Sequence, residues 1–327
     1  MLTLVTGATG LVGNNVVRLL VERGERVRVL ARDPSDKSLG GLPLDVIVGD
    51  VCDPAAVRRA AEGVDRIIHS AGRVHLGWTG LALHQSVNVE GTRNVAQAAR
   101  DAGVRMVHVS SVDALGLGNR QQPADEDCPA EGSVLCPYVV TKRQAESVVT
   151  ESVAEGLDAV IVNPVYMFGP WDWKPSSGRM ILEVGRGMAL LAPPGGNDFA
   201  DVRDVAFGIL AAADRGRRAR QYILGGEPLS YLEAWRVIAE VAGVRGPWRK
   251  MLPAGLFVAS RVGDLLTRIR GVESDVNSAA IAMARLEHHY SHARATAELD
   301  YRPRPAREAI EAAWRWFVDY GYATPRK

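Results

Sequence analysis

The run Leu2-Thr3-Leu4-Val5-Thr6-Gly7-Ala8-Thr9-Gly10-Leu11-Val12-Gly13 decides the fold of this chain. Its first residues are apolar or β-branched, as in a strand covered on both faces. Glycines follow at once, and the amphipathic stretch Leu11–Glu22 continues as a helix. So tight a turn favours a residue without a Cβ at Gly7. Gly10 leaves bare backbone where a pyrophosphate would approach, and Gly13 lets the helix lie close on the strand. The helix N-terminus adds unpaired N–H groups and the positive end of its dipole. A lone glycine triplet is weak evidence. One that closes a strand and opens a helix reads as a dinucleotide cradle, with Gly7, Thr9, Gly10, Leu11, Val12 and Gly13 as its residues.

Outward from that run, short β-branched segments alternate with helical ones. Arg26–Ala31, Asp45–Gly49, Arg66–Ser70, Arg105–Ser110, Ala159–Asn163 and Tyr222–Leu224 read as strands. Pro54–Ala61, Leu81–Ala102, Tyr138–Glu155 and Val202–Ala213 read as helices. Strict alternation implies an α/β fold, a Rossmann-type doubly wound parallel sheet. After about residue 225 strands nearly vanish, and Tyr231–Ala242, Ala254–Ile269, Val276–Leu286 and Ala306–Tyr320 read as helices. The expected division is a dinucleotide-binding domain over 1–165, rejoined by 201–225. A smaller, mostly helical substrate lobe takes 166–200 and 226–327.

Bulk properties narrow the function. The chain has 327 residues, 47% of them apolar, and a formal net charge of +1, so charge gives no sign of a nucleic-acid partner. The arginines at 215, 217, 218 and 220 read as a solvated loop. Three scattered cysteines suggest neither disulfides nor zinc, and His288, His289 and His292 lack an acidic partner at ligand spacing, so no metal is expected. The chain opens on an apolar strand without a basic leader, and no apolar run reaches membrane-spanning length; the expectation is a cytoplasmic protein. Met251–Arg270 is apolar on one face with arginines on the other. It reads as lobe core in preference to a membrane-surface helix.

The second strand ends at Ala31-Arg32-Asp33. A guanidinium at Arg32 suits a 2′-phosphate, whereas Asp33 stands one step late for a ribose and starts a turn with Pro34; NADP is favoured over NAD. Asp50 is positioned to accept from the adenine amino group, with Val51 against the ring. Ala71 and Gly72 give a cofactor backbone room to pass. Tyr138 and Lys142 lie one helical turn apart behind Pro137 and share a face. A phenol titrates near 10, and a neighbouring ammonium is expected to lower that value toward useful acid–base chemistry. The lysine can also hold ribose hydroxyls. Ser111 follows the fifth strand, where a hydroxyl would bind a substrate oxygen.

Taken together, Thr6–Gly13, Asn88-Val89-Glu90-Gly91-Thr92, Val109-Ser110-Ser111 with Gly116, Pro137–Lys142, Asn163-Pro164-Val165 with Phe168-Gly169-Pro170, and Asp201–Ala206 resemble the extended short-chain dehydrogenase/reductases. Within them the Arg32-Asp33-Pro34 turn and the ending Tyr301–Pro305 are most similar to dihydroflavonol-reductase-like and hopanoid-associated sugar-epimerase-like proteins. The resemblance implies a Ser111–Tyr138–Lys142 triad, with Pro164 and Val165 flanking the nicotinamide. It also implies a structural role for Asn88 and a homodimer paired through the two long helices. Leu115 stands where the family usually has tyrosine, which weakens the case for a nucleotide-sugar substrate. His75, Trp78, Trp171, Trp173 and Arg179 are candidates for contact with a small-molecule substrate, although lobe packing also suits the tryptophans. Trp314 and Trp316 read as lobe core. The implied activity is reduction of an aldehyde or ketone, or oxidation of the alcohol. The alternatives are a nucleotide-sugar epimerase/dehydratase with tightly bound NAD and a non-catalytic NADP sensor.

Overall fold

The computed structural model describes residues 1–270, 273–274 and 276–324. The expected lobe's residues 271, 272, 275 and 325–327 lie outside that description. The first part of the chain comprises β1 Leu2–Thr6, α1 Leu11–Glu22, β2 Arg26–Ala31, β3 Leu44–Val48, α2 Pro54–Ala61, β4 Arg66–His69, α3 Leu81–His84, α4 Gly91–Asp101, β5 Arg105–Val109, α5 Pro137–Ala154 and β6 Ala159–Pro164. It continues with β7 Tyr166–Phe168, α6 Gly178–Gly185, β8 Leu191–Ala192, β9 Gly196–Asp201, α7 Val202–Arg215, β10 Gln221–Leu224, β11 Glu227–Ser230, α8 Tyr231–Val241 and β12 Arg249–Lys250. The remainder is α9 Pro253–Arg270, α10 Ser278–Met283, β13 Glu287–His288, α11 Ala293–Leu299 and α12 Ala306–Asp319.

Seven parallel strands in the order β10-β6-β5-β4-β1-β2-β3 form the main sheet. The order reverses between β1 and β4, and a crevice opens there beyond the carboxyl ends of the strands. One face packs Val5, Ile68, Val107 and Val160 with Val16 and Ile209. The other packs Leu4, Ile67, Met106 and Ala159 with Val57 and Val95. Apart from Ala159, each of these side chains contributes about 1.5–3 kcal/mol on burial.

Three expectations are changed or filled in. The helix read across residues 81–102 is not uniform: a π-helical segment, Gln85–Glu90, separates α3 from α4. There the Asn88 amide accepts from the Arg73 N–H at 2.7 Å and donates to Thr141 Oγ1 at 3.0 Å, so the π segment ties the β4 loop to α5. The few strands left after 225, β11, β12 and β13, are two to four residues long, yet they have a place in the fold. β11, β9 and β13 form a second small sheet, and β7 pairs with β9. These strands are short and the Pro193-Pro194-Gly195 turn interrupts them, so their period is hard to read; α6 and α11 were missed for the same shortness. Finally, Tyr290, Ala295, Leu299 and Tyr301 join the core of the main sheet, not that of the lobe.

Under the crevice floor His69 is fully buried. Its Nδ1 lies 2.7 Å from Thr6 Oγ1 and its Nε2 3.0 Å from Thr92 Oγ1. The Thr92 hydroxyl already donates to the Asn88 carbonyl, so Nε2 carries the hydrogen and the ring is neutral. Burial, and then the nearby Lys142 charge, lower its pKa to about 3. A depressed imidazole pKa means that the unfolded chain binds the extra proton between about pH 3 and 6.5, so stability falls with pH in that window. We expect acidification from pH 7 to 5 to cost about 2 kcal/mol through this residue. Urea unfolding at both pH values, with His69→Gln losing that increment, checks it.

Candidate active site

Gly7 adopts φ +74°, and a Cβ there would lie 2.6 Å from the Ala71 nitrogen. At Gly13 a Cβ would meet the Gly7 carbonyl oxygen at 2.2 Å. Both glycines are therefore demanded by packing. Gly10 differs: a Cβ there would find only the Gly7 oxygen, at 3.5 Å, and the residue lines a cleft of about 400 Å³. Thr9, Arg32, Asp50, Val51, Ala71 and Gly72 line the same cleft. Leu11 and Val12 begin α1 and lie outside that lining; α1 has no side-chain cap, so its first N–H groups face the cradle without an internal acceptor. The residues fit a dinucleotide.

At the adenosine end the Arg32 side chain is exposed, 3.8 Å from Asp50. The other oxygen of Asp50 accepts from the Cys52 N–H at 2.9 Å. Asp33 is folded into its own turn, accepting from the Ser35 N–H and hydroxyl at 2.9 and 2.6 Å. Lys174 also lines the cleft, 2.7 Å from Asp36. The lysine lies more than a hundred residues from Arg32, and only the fold brings the two cations to one mouth.

At the other end β5, β6 and α5 meet. The Lys142 ammonium donates to the Val109 carbonyl at 3.0 Å and would stand 3.7 Å from a Cβ placed on Gly72. Burial lowers its pKa to about 8, with Glu146 and then Asp113 opposing. Ser111 caps the short turn Val112–Ala114, and its hydroxyl donates to Asp113 at 3.1 Å. Tyr138 is buried beside Ser111. Its phenol is pushed well above 10 by burial and then by the Asp113 carboxylate, with Ser111 opposing. The expected lowering by Lys142 does not appear: burial of the phenol raises its pKa, and Lys142 is not among the groups that move it. Pro164 ends β6, and the buried Val165 donates from its N–H to the Leu224 carbonyl at 3.3 Å.

Sequence reading missed the support around these groups. Asn163 donates to the Ser111 carbonyl at 2.9 Å and to Glu146 at 2.7 Å. Burial pushes the Glu146 carboxyl up. Its spacing, one further helical turn beyond Lys142 on the same face, was the available signal. Asp113 and the buried His289–Asp198 pair, at 2.7 Å, were also missed. The latter gives the late histidines an acidic partner that spacing did not reveal.

The residues read as substrate contacts each have protein partners. Trp171 and Trp173 pack edge-on against Trp316 and Tyr320 with ring centroids 4.9–6.1 Å apart, and the Arg18 guanidinium lies 3.4 Å above Trp171, an arrangement of lobe packing. Trp316 is core, as expected. Arg179 is exposed near Asp172 and Tyr166. His75 and Trp78 are bound to Glu273, the imidazole Nε2 at 3.0 Å and the Trp78 backbone N–H at 2.7 Å. Tyr138 itself packs with Leu76, Val134, Ala279 and Met283 on one side, and with the His84 ring at 6.5 Å.

A parallel switch-point sheet with this cradle defines a dinucleotide-binding α/β protein. Residues 3–225 match the NAD dependent epimerase/dehydratase family. The chain belongs to that family of extended short-chain dehydrogenases/reductases, NAD(P)-dependent enzymes. It is 36% identical to sterol demethylase protein B of Methylococcus capsulatus, over 98% of this chain and 99% of that one. It is 35% identical to a putative dihydroflavonol 4-reductase of Synechocystis, over 97% and 95%. The solved structure of gox2253 is 39% identical, covers 98% of both chains and superposes with a TM-score of 0.83.

The two glycine positions separate fold from ligand. Gly10→Val should leave the unfolding midpoint nearly unchanged but weaken dinucleotide binding at least about tenfold. Gly13→Ala should instead cost about 3 kcal/mol of stability. Urea unfolding beside fluorescence titration with NADPH distinguishes the two outcomes.

Proposed function

We propose that this protein is an NADP-dependent oxidoreductase that reduces the carbonyl of a bulky apolar molecule, or oxidises the corresponding alcohol, with Ser111, Tyr138 and Lys142 as its triad. The observation that supports the reading is a buried phenol, Tyr138, beside the Ser111 hydroxyl, on the same helix as Lys142, whose ammonium one turn on borders Gly72 of the dinucleotide cleft. A bound nicotinamide supplies or accepts the hydride. Ser111 holds the substrate oxygen by a hydrogen bond; Tyr138 gives its proton to that oxygen as charge develops there. Lys142 lends positive charge to the phenolate left behind and holds the ribose. Pro164 and Val165 form the wall against the nicotinamide.

Two observations support the finer parts. Arg32 and Lys174 flank the adenosine end while Asp33 is occupied by Ser35, which suits a 2′-phosphate and hence NADP. The apolar side chains packed on Tyr138, Leu76, Val134, Ala279 and Met283, suit a large nonpolar substrate. The names of two relatives, a sterol demethylase protein and a dihydroflavonol reductase, agree with that class. The family also contains epimerases, which keep NAD bound through the cycle. Here Leu115 is buried in the sheet core instead of offering a phenol, which favours the reductase. A cytoplasmic homodimer paired through α4 and α5 completes the reading, and a light-scattering mass tests the pairing.

Tyr138→Phe should lower kcat on the order of a hundred- to ten-thousandfold while dissociation of NADPH changes little. Near-normal turnover would remove the mechanism. Tightly held NAD in the purified protein, without NADPH oxidation by any carbonyl compound, would favour the epimerase instead. Arg32→Asp should lower kcat/KM for NADPH by about a hundredfold relative to NADH; an unchanged ratio would show that Arg32 does not read the phosphate.

A further inference from the structure

Helix α9 is built the wrong way round for water. Its inward side carries small residues: Ser260 and Gly263 are buried beside Leu256, and a Cβ on Gly263 would fall 1.6 Å from the Val276 carbonyl oxygen. The helix is seated by Asp264, which accepts from the Ser278 N–H at 3.0 Å, and by Thr267, which accepts from the Ser274 N–H at 3.0 Å. Its large apolar residues point out instead. Phe257, Val258, Val262 and Leu265 are half or more exposed, and Ile269 is 72% exposed. At about 100° per residue these five share one arc of roughly 140°. This corrects the expectation that the segment supplies lobe core: only Leu256 of its large apolar side chains is buried among those described.

Arginines interrupt that arc: Arg268 and Arg261, at about 20° and 40°, stand between Phe257 and the stripe of Leu265, Val258, Ile269 and Val262. Arg261 lies 5.0 Å above the Phe257 ring, and Arg249 lies 4.1 Å above the exposed Trp248 just before the helix. The helix sequence has three arginines and one acid, Asp264, whose carboxylate is engaged as above. A contiguous exposed apolar face mixed with aromatic and guanidinium groups is the pattern of a helix lying in a membrane interface. A soluble protein partner would not require guanidinium groups among these apolar side chains.

The base of the helix joins the reaction centre. Ser278 accepts from the Trp78 indole N–H at 2.9 Å, and Glu273 accepts from Trp78, Thr79 and His75. The same α10 packs Ala279 and Met283 on Tyr138. We propose that α9, with Trp248 and Leu252 before it, docks this protein on a bilayer bearing anionic headgroups, beside the mouth through which an apolar substrate reaches Tyr138. The substrate clause rests on the function proposed above; the docking rests on α9 alone.

The test is co-sedimentation of the full chain with sucrose-loaded vesicles of phosphatidylglycerol and phosphatidylcholine in equal parts, against phosphatidylcholine alone. We expect binding to the mixed vesicles, about tenfold weaker binding to the neutral ones, and release by salt. Leu265→Glu with Ile269→Glu should abolish binding while the unfolding midpoint stays put, because both positions are exposed. Arg261→Glu with Arg268→Glu should remove the preference for anionic lipid. Equal sedimentation of wild type and the glutamate variant would overturn the proposal, as would absence of binding to the mixed vesicles. A dimer that Leu265→Glu splits in light scattering would overturn it too and assign the face to a second copy of the chain. Vesicle binding without carbonyl reduction would count against the proposed function and leave the docking standing.

Discussion

Three pieces of main chain cross at Gly7, with the Ser70 hydroxyl set beside them. The end of β1 turns there, α1 presses Gly13 onto the Gly7 carbonyl, and the exit of β4 passes at Ala71. That contact fixes how far the first turn of α1 stands from the strand ends, and therefore where its positive end meets the cleft. It also holds β1 and β4 at the separation from which the crevice opens. The rest of the site is measured from this crossing, because Gly72 continues from the same β4 exit and borders the Lys142 ammonium.

A buried ammonium is costly unless its surroundings answer it. Lys142 is answered by the Val109 carbonyl and by the Glu146 carboxyl one turn along α5. Glu146 in turn accepts from Asn163 and, at 2.9 Å, from Gln221, so β6 and β10 both reach it. Asn163 also donates to the Ser111 carbonyl. The ends of β5 and β6 and one face of α5 are thus joined by a single polar web, and the groups next to it sit on rigid elements instead of a loop. The cost is visible in the depressed lysine and the raised carboxyl, which share a strain that neither would have in water.

Much of this was legible from residue order. The glycine run, the β-branched period of the central strands and the one-turn spacing of Tyr138 and Lys142 are local signals, and they gave the main sheet, the cradle and the triad candidates. What stayed hidden depends on distant parts of the chain meeting. Lys174 faces Arg32 only after the lobe folds back, and Asp198 reaches His289 across 91 residues. Short strands such as β7 and β11 carry too few residues to establish a period. The π segment preserves a helical pattern in sequence while changing which way Asn88 points. The electrostatics of Tyr138 were misjudged because spacing reveals a neighbouring charge but not the depth of burial.

The last stretch of chain does not stay within the lobe. Tyr301 donates to the Gly225 carbonyl at 2.7 Å, Arg304 pairs with Asp204 on α7 at 2.7 Å, and α12 then returns to the small sheet's aromatic core. The lobe is therefore stitched to the sheet behind the cleft by a segment near the carboxyl end, long after the sheet itself is complete. A nascent chain would have its nucleotide cradle made long before this stitch is available, so the lobe is fastened to the sheet only once residues 301–304 have emerged.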